Sequence, residues 1–191
     1  MASELFMKVL VFGASLRKGS WNKKVAAQAA RAARDLGHEA DHADFRDFEM
    51  PVYDGDLEDA SGTPPGAMKL VQRIRNADAL IISTPEYNGS IPGAFKNAID
   101  WVSREEPMPW AGKPILLLAA SPGALGGVRS LWHSRQPLEV CGAYVYPEVL
   151  GVSRAAQAFN DDGSFVEPKQ WVRLQGLVRG YLGWADRLRT G

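Results

Sequence analysis

The chain has 191 residues, 46% hydrophobic and 23% charged, with 22 basic and 22 acidic side chains that give a formal net charge of zero. That length suits one domain spanning residues 1–191, and the composition excludes disordered and membrane classes. With no net field to recruit polyanions, neither nucleic acid nor a membrane surface is expected as a partner.

The opening MASELFMKVLVFG has no basic start, an apolar stretch too short to cross a bilayer and no small-residue cleavage site after it, so a cytoplasmic protein is expected. Its first strand is read at Met7–Phe12. A helical stripe of Val25, Ala29, Ala33 and Leu36 follows, then a second strand at Glu39–Asp44. Residues 46–65, rich in Gly, Pro, Asp and Ser, read as a loop. The third strand, Ala79–Ser83, leads to a helix with Phe95, Ala98, Ile99 and Val102 on one stripe, and the fourth lies at Pro114–Ala120. Pro137 is expected to kink the helix after it. A fifth strand is read at Ala143–Leu150 and a loop at residues 155–164. Trp171, Leu174, Val178, Tyr181, Ala185 and Leu188 mark a final amphipathic helix, where Gly176, Gly180 and Gly183 suggest close packing against sheet or subunit. KVLVF, ALIIS and ILLLAA are nearly continuous apolar runs, as strands covered on both faces require. Strands alternating with helices predict an α/β three-layer sandwich with a five-stranded parallel sheet. In such a sheet the ligand lies beyond the carboxyl ends of the strands, where the loops after Gly13, Thr84 and Ser121 converge.

The first of these loops, GASLRKGSWN, supplies Ser15, Arg17, Ser20 and Asn22 just before a helix. Hydroxyls, an amide, a guanidinium and open backbone N–H groups at a helix N-terminus suit a phosphate, and the aligned peptide dipoles add roughly half a positive charge. The loop lacks the nucleoside-triphosphate GxxxxGK[ST] spacing, so a monophosphate is expected. Ser20 or Asn22 taken alone is equally a helix cap, and Trp21 reads as a packing residue. The second loop, STPEYNGSIPGAFKNAIDW, is stiffened by Pro85, Gly89, Pro92 and Gly93 and presents Tyr87 and Asn88 at its tip, a surface for a flat heteroaromatic ring. In the third, ASPGALGGVRS, Gly123, Gly126 and Gly127 admit a ligand close to the backbone; Arg129 faces either the pocket or solvent.

Together GASLRKGSWN, PEYNGSIPGAFKNAIDW and SPGALGG resemble the NADPH-dependent FMN reductase family of flavin, quinone, chromate and azo-compound reductases, and the likeness spans almost the whole chain. The resemblance implies a flavodoxin-like fold, FMN as cofactor and NADPH or NADH as electron donor. It carries the FMN phosphate onto Ser15, Arg17, Ser20 and Asn22 and lays the isoalloxazine along Pro85, Glu86, Tyr87, Asn88 and Gly89. The other flank of the flavin then falls to Ser121, Pro122 and Gly123. Ala14 departs from the family, in which a second small residue such as glycine often stands there. The implied reaction is ping-pong transfer to a small-molecule electron acceptor, with no protein acid, base or nucleophile nominated. The alternative is a flavodoxin-like electron carrier that binds FMN without oxidising nicotinamide, although such carriers are strongly acidic and this chain is balanced. A homodimer or homotetramer is implied, and Trp110, Trp132 and Trp184 exceed what the core readily places.

The remaining polar residues read as structural. His38 and His42 fall on a strand region and His133 on a helix, and none has zinc-ligand spacing with Cys141. Asp54, Asp56, Glu58 and Asp59 lack the glycine and terminal glutamate of a calcium loop. Cys141, the single cysteine, excludes an internal disulfide and reads as a buried inert thiol.

Overall fold

The computed structural model describes residues 6–190. The apolar runs become the interior strands β1 (Lys8–Gly13), β3 (Ala79–Ser83) and β4 (Pro114–Ala120), the last two buried at every residue. The polar strand β2 (Glu39–Asp44) takes an edge, where Glu39, Asp41, His42 and Asp44 meet water and only Ala43 is buried. All pairings are parallel, in the order β2-β1-β3-β4-β5.

Because successive strand residues face opposite ways, the sheet divides its apolar side chains between two layers. Val9, Val11, Ile81, Leu116 and Leu118 face α1 (Trp21–Asp35) and the last helix, α7 (Pro168–Thr190). Leu10, Phe12, Leu80, Ile82, Ile115 and Leu117 face α3 (Pro65–Asn76), α4 (Gly93–Val102) and α5 (Val128–Val140). Each such side chain withdrawn from water contributes about 1.5–3 kcal/mol. On the second face Phe12 stacks on Phe45 at 5.8 Å and meets Phe48 and Phe95 edge-on. On the first, the buried Tyr181 hydroxyl accepts from the Leu80 N–H and shares its one proton between the carbonyls of Leu80 in β3 and Pro114 in β4, pinning α7 to the sheet.

Several expectations need correction. The fifth strand breaks at Pro147 into β5 (Tyr144–Val145) and β6 (Leu150–Val152), each pairing with a different part of β4, because proline offers no ladder donor. The loop over residues 46–65 contains a 3-10 turn, Phe45–Phe48, and a short helix, α2 (Gly55–Ser61). No α2 residue is buried, so periodicity gave no sign of it; Asp54 caps its start. Glu58 within it takes the Tyr53 hydroxyl and the Arg104 guanidinium. Residues 155–164 hold one helical turn, α6 (Ala155–Ala158).

In α7, a Cβ on Gly176 or Gly183 would meet nothing within 4 Å, and one on Gly180 only the Tyr146 hydroxyl at 3.2 Å. Gly176 and Gly183 are therefore not a close-packing device within this chain, whereas Gly180 admits the Tyr146 hydroxyl. Trp110 is fully buried and Trp184 packs on Tyr146 and Tyr181; Trp132 remains 59% exposed. Cys141 is only half buried, at the end of α5, and burial pushes its thiol pKa up. His38 precedes β2 rather than lying on it, and α5 runs on through Pro137.

Among the described residues no helix is long and apolar enough to cross a membrane, and no group of His, Cys, Asp and Glu is placed to hold a metal.

Candidate functional site

At the carboxyl end of the sheet, β1 turns into α1 through a contact that only glycine permits. A Cβ on Gly13 would lie 2.8 Å from the backbone of Asn22 and Lys23, too near for any side chain. This brings the helix N-terminus onto the strand end. Ser20 is the N-cap, its Oγ accepting the Asn22 N–H at 3.2 Å, and the Ser15 Oγ accepts the Arg17 N–H at 3.3 Å. Both hydroxyls keep their protons free to donate. Arg17 forms no ion pair among the described residues and lies over the Trp21 ring, 5.5 Å from its centroid. The N–H groups of Gly19 and Trp21 likewise have no acceptor among those residues.

Asn22 is 2% exposed and largely committed to the protein. Its Oδ1 accepts the Ala120 N–H at 2.8 Å and the Ser83 hydroxyl at 2.9 Å, while its Nδ2 donates to the Ala120 carbonyl at 2.9 Å. One amide N–H remains. This side chain fastens the start of α1 to the ends of β3 and β4, so the capping and anchoring readings hold alongside any ligand contact.

The loop after β3 continues the strand briefly, the Thr84 N–H bonding the Leu118 carbonyl at 2.8 Å. It then closes in a two-residue hairpin turn, Tyr87 and Ser90 exchanging backbone bonds of 3.1 and 3.0 Å around Asn88 (φ 52°) and Gly89 (φ 74°). Asn-Gly is the pair that tolerates two consecutive positive φ values. Pro85, Glu86 and Tyr87 therefore run along the cleft, and the Tyr87 ring is 52% exposed at its border. The Glu86 carboxylate turns away to Arg129, whose Nε donates to it at 2.8 Å and whose backbone N–H donates at 3.1 Å. Burial pushes the Glu86 pKa up, but the hydrogen bonds and positive charge of Arg129 outweigh it and leave the group below its ordinary value. Arg129 thus faces Glu86.

After β4, the Ser121 N–H bonds the Val152 carbonyl at 3.1 Å, and the Ser121 Oγ accepts the Gly123 N–H at 3.2 Å. Gly126 and Gly127 do not open onto the ligand region as expected. A Cβ on Gly126 would strike the Gly151 backbone at 2.8 Å, and one on Gly127 the Ala119 Cβ at 2.9 Å. Their small size serves the packing of this loop on β4 and β6.

The three loops border an open cleft with a cavity volume of about 70 Å³. Its lining takes Ser15, Arg17, Ser20 and Asn22 from the first loop, Pro85, Glu86 and Tyr87 from the second, and Ser121 and Pro122 from the third. Of the residues expected from sequence, Asn88 and Gly89 lie at the hairpin tip and Gly123 lies behind Ser121, outside the lining. Two lining residues were missed, Trp21 and Ala120. Trp21 could have been found from its place directly after a capping serine, where the first helical residue projects over the loop.

The model of the family described as NADPH-dependent FMN reductase matches residues 7–157. A quinone reductase of Escherichia coli is 41% identical over 192 aligned positions, covering 98% of this chain and 99% of that protein. An NAD(P)H-dependent FMN reductase of Pseudomonas aeruginosa is 38% identical over 185, covering 96% and 97%. Among solved structures, the flavoenzyme NAD(P)H:acceptor oxidoreductase FerB of Paracoccus denitrificans superposes with a TM-score of 0.82 at 32% identity, over 95% of this chain and 98% of that one.

Proposed function

This chain belongs to the NADPH-dependent FMN reductase family, and from that premise we propose that it is an NAD(P)H-dependent FMN oxidoreductase passing electrons by a ping-pong mechanism to quinones, flavins or similar small acceptors. The observation that carries this reading is one cleft lined together by the hydroxyls, guanidinium and amide of residues 15–22 and by Pro85, Tyr87 and Pro122 from the two neighbouring loops. The donor groups of the first loop fit a phosphate monoester: two hydroxyl protons, a guanidinium without a carboxylate partner among the described residues, one Asn22 N–H and the positive end of α1. The neighbouring loops, with Pro85, Tyr87 and Pro122, fit the face of a flat ring system whose edge can bond to backbone groups of residues 85–89 and 121–123.

The chemistry FMN supplies when bound is acceptance of hydride from NADPH or NADH and delivery of the electron pair to the acceptor. The protein's own share is positional. Ser15, Arg17 and Ser20 anchor the phosphate, the hairpin through Tyr87 holds one side of the ring, and Ser121–Gly123 holds the other. The exposed Tyr87 ring borders an open side that admits donor and acceptor in turn. No group here is assigned a proton-transfer role.

The exposed Trp132 and Leu125 favour a homodimer or homotetramer that covers them, and the single unpaired thiol suits a reducing cytoplasmic setting. The deciding experiment is an anaerobic absorbance titration of FMN-loaded protein with NADPH, then NADH, followed by a quinone. Bleaching of the flavin band and its return on quinone addition are expected. FMN binding without bleaching by either nucleotide would indicate a carrier, and no FMN binding would refute the reading.

A further inference from the structure

Helix α5 begins without a cap of its own. Its N-cap position is Gly127, at φ 88°, and no side chain there accepts a first-turn N–H. Serine, threonine or aspartate, the residues that normally fill this role, are doubly excluded. The positive φ disfavours any Cβ, and a Cβ at Gly127 would lie 2.9 Å from that of Ala119. The close packing of this loop on β4 therefore removes a side-chain cap, and of the first-turn donors the Val128 N–H bonds locally, to the Leu125 carbonyl at 3.3 Å.

The missing acceptor comes from 43 residues away in sequence. The Glu86 carboxylate accepts the Arg129 backbone N–H at 3.1 Å. The Arg129 guanidinium fills its other oxygen through Nε and Nη2. The Glu86 side chain is only 8% exposed, so this is a desolvated carboxylate matched by several donors, unlike a solvated surface pair of little worth. The same face of α5 makes two more bonds to the hairpin segment. The Ser130 hydroxyl donates to the Pro85 carbonyl at 2.8 Å, and His133 Nδ1 lies 2.9 Å from the Ser90 Oγ.

We propose that Glu86 is a positioning residue that caps α5 from the neighbouring loop, so that hairpin 85–90 and the loop leading into α5 move as one unit and hold the two walls of the cleft at a fixed spacing. The coupling itself stands on these contacts alone; only its consequence for the flavin rests on the function proposed above. Glu86 also lines the cleft, so this role stands beside the ring contact that the resemblance implies for it.

The test uses the full chain in two forms. Without FMN, amide hydrogen exchange is followed in wild type, Glu86→Ala and Glu86→Gln. Removing the carboxylate should raise exchange about tenfold to a hundredfold at Tyr87–Ser90 and at Val128–Leu131 together. Glu86→Gln keeps a carbonyl oxygen for the helix N–H and should restore part of the protection. A rise confined to one segment, or no rise in either, overturns the proposal.

With FMN, Glu86→Ala should weaken binding about tenfold and alter the visible circular dichroism of the flavin. Glu139→Gln, which breaks the Arg135 pair further along the same helix, should change neither. Equal effects from both variants would indicate general weakening of α5 and would also refute it. Failure of the wild type to bind FMN would sink the proposed function and leave the exchange result to decide the coupling.

Discussion

Replacing Asn22 with alanine tests whether this residue, two positions after the Ser20 cap of α1, is mainly a fastener of the fold. The side chain makes three hydrogen bonds of 2.8–2.9 Å, two to Ala120 and one to Ser83, and it is 2% exposed. Each bond contributes about 0.5–1.5 kcal/mol net, and each buried partner left unsatisfied costs about 1–3 kcal/mol. Because the three share one side chain and partly relax together, a sum of about 3 kcal/mol is expected rather than the upper limit. For a domain of this size that lowers Tm by roughly 6–12 °C. Urea unfolding of the FMN-free protein is the assay, with Ser83→Ala as a reference expected to lose about 1 kcal/mol through its single bond. A loss below about 1 kcal/mol for Asn22→Ala, with FMN affinity nevertheless reduced a hundredfold, would refute the structural assignment and make Asn22 chiefly a ligand contact.

Arg17→Ala should weaken FMN about tenfold to a hundredfold, since a charge-assisted bond is worth about 1.5–3 kcal/mol, and should leave riboflavin unaffected; flavin fluorescence quenching measures both. Gly176→Ala should raise stability by about 0.5–1 kcal/mol, because its Cβ meets open space and the unfolded chain loses entropy, a gain readable by thermal unfolding. The Glu86 pKa lies below its ordinary value in the folded protein, so its stabilisation is complete above the unfolded value of about 4.3 and disappears as pH falls through the lower folded value. The stability difference between wild type and Glu86→Gln should accordingly be flat from about pH 6 to 8 and shrink below about pH 4, followed by urea unfolding across that range.

The likeness of this protein to flavin reductases was legible because its motifs are local. Ser15, Arg17, Ser20 and Asn22 follow one another before a helix, and their spacing survives folding unchanged. The hairpin of Tyr87 and Ser90 was foreshadowed by Asn88-Gly89, a pair chosen by dihedral angles rather than by distant contacts. The parallel strand runs were equally plain, since burial on both faces leaves little choice but apolar residues. The short α2 was not, because it buries nothing and so carries no stripe.

What sequence alone determined was therefore the fold class, the three loops at the strand ends and most of the cleft lining, each fixed by residue type over a few positions. Tertiary structure decided which functional groups remain available there. Asn22 is spent largely on Ala120 and Ser83, and Glu86, though it lines the cleft, commits its carboxylate to the start of α5. Gly126 and Gly127 serve backbone packing. The physical reason is that a buried polar group must find partners wherever the fold brings them, and those partners lie 61 and 98 residues from Asn22 and 43 from Glu86, beyond the reach of any local pattern.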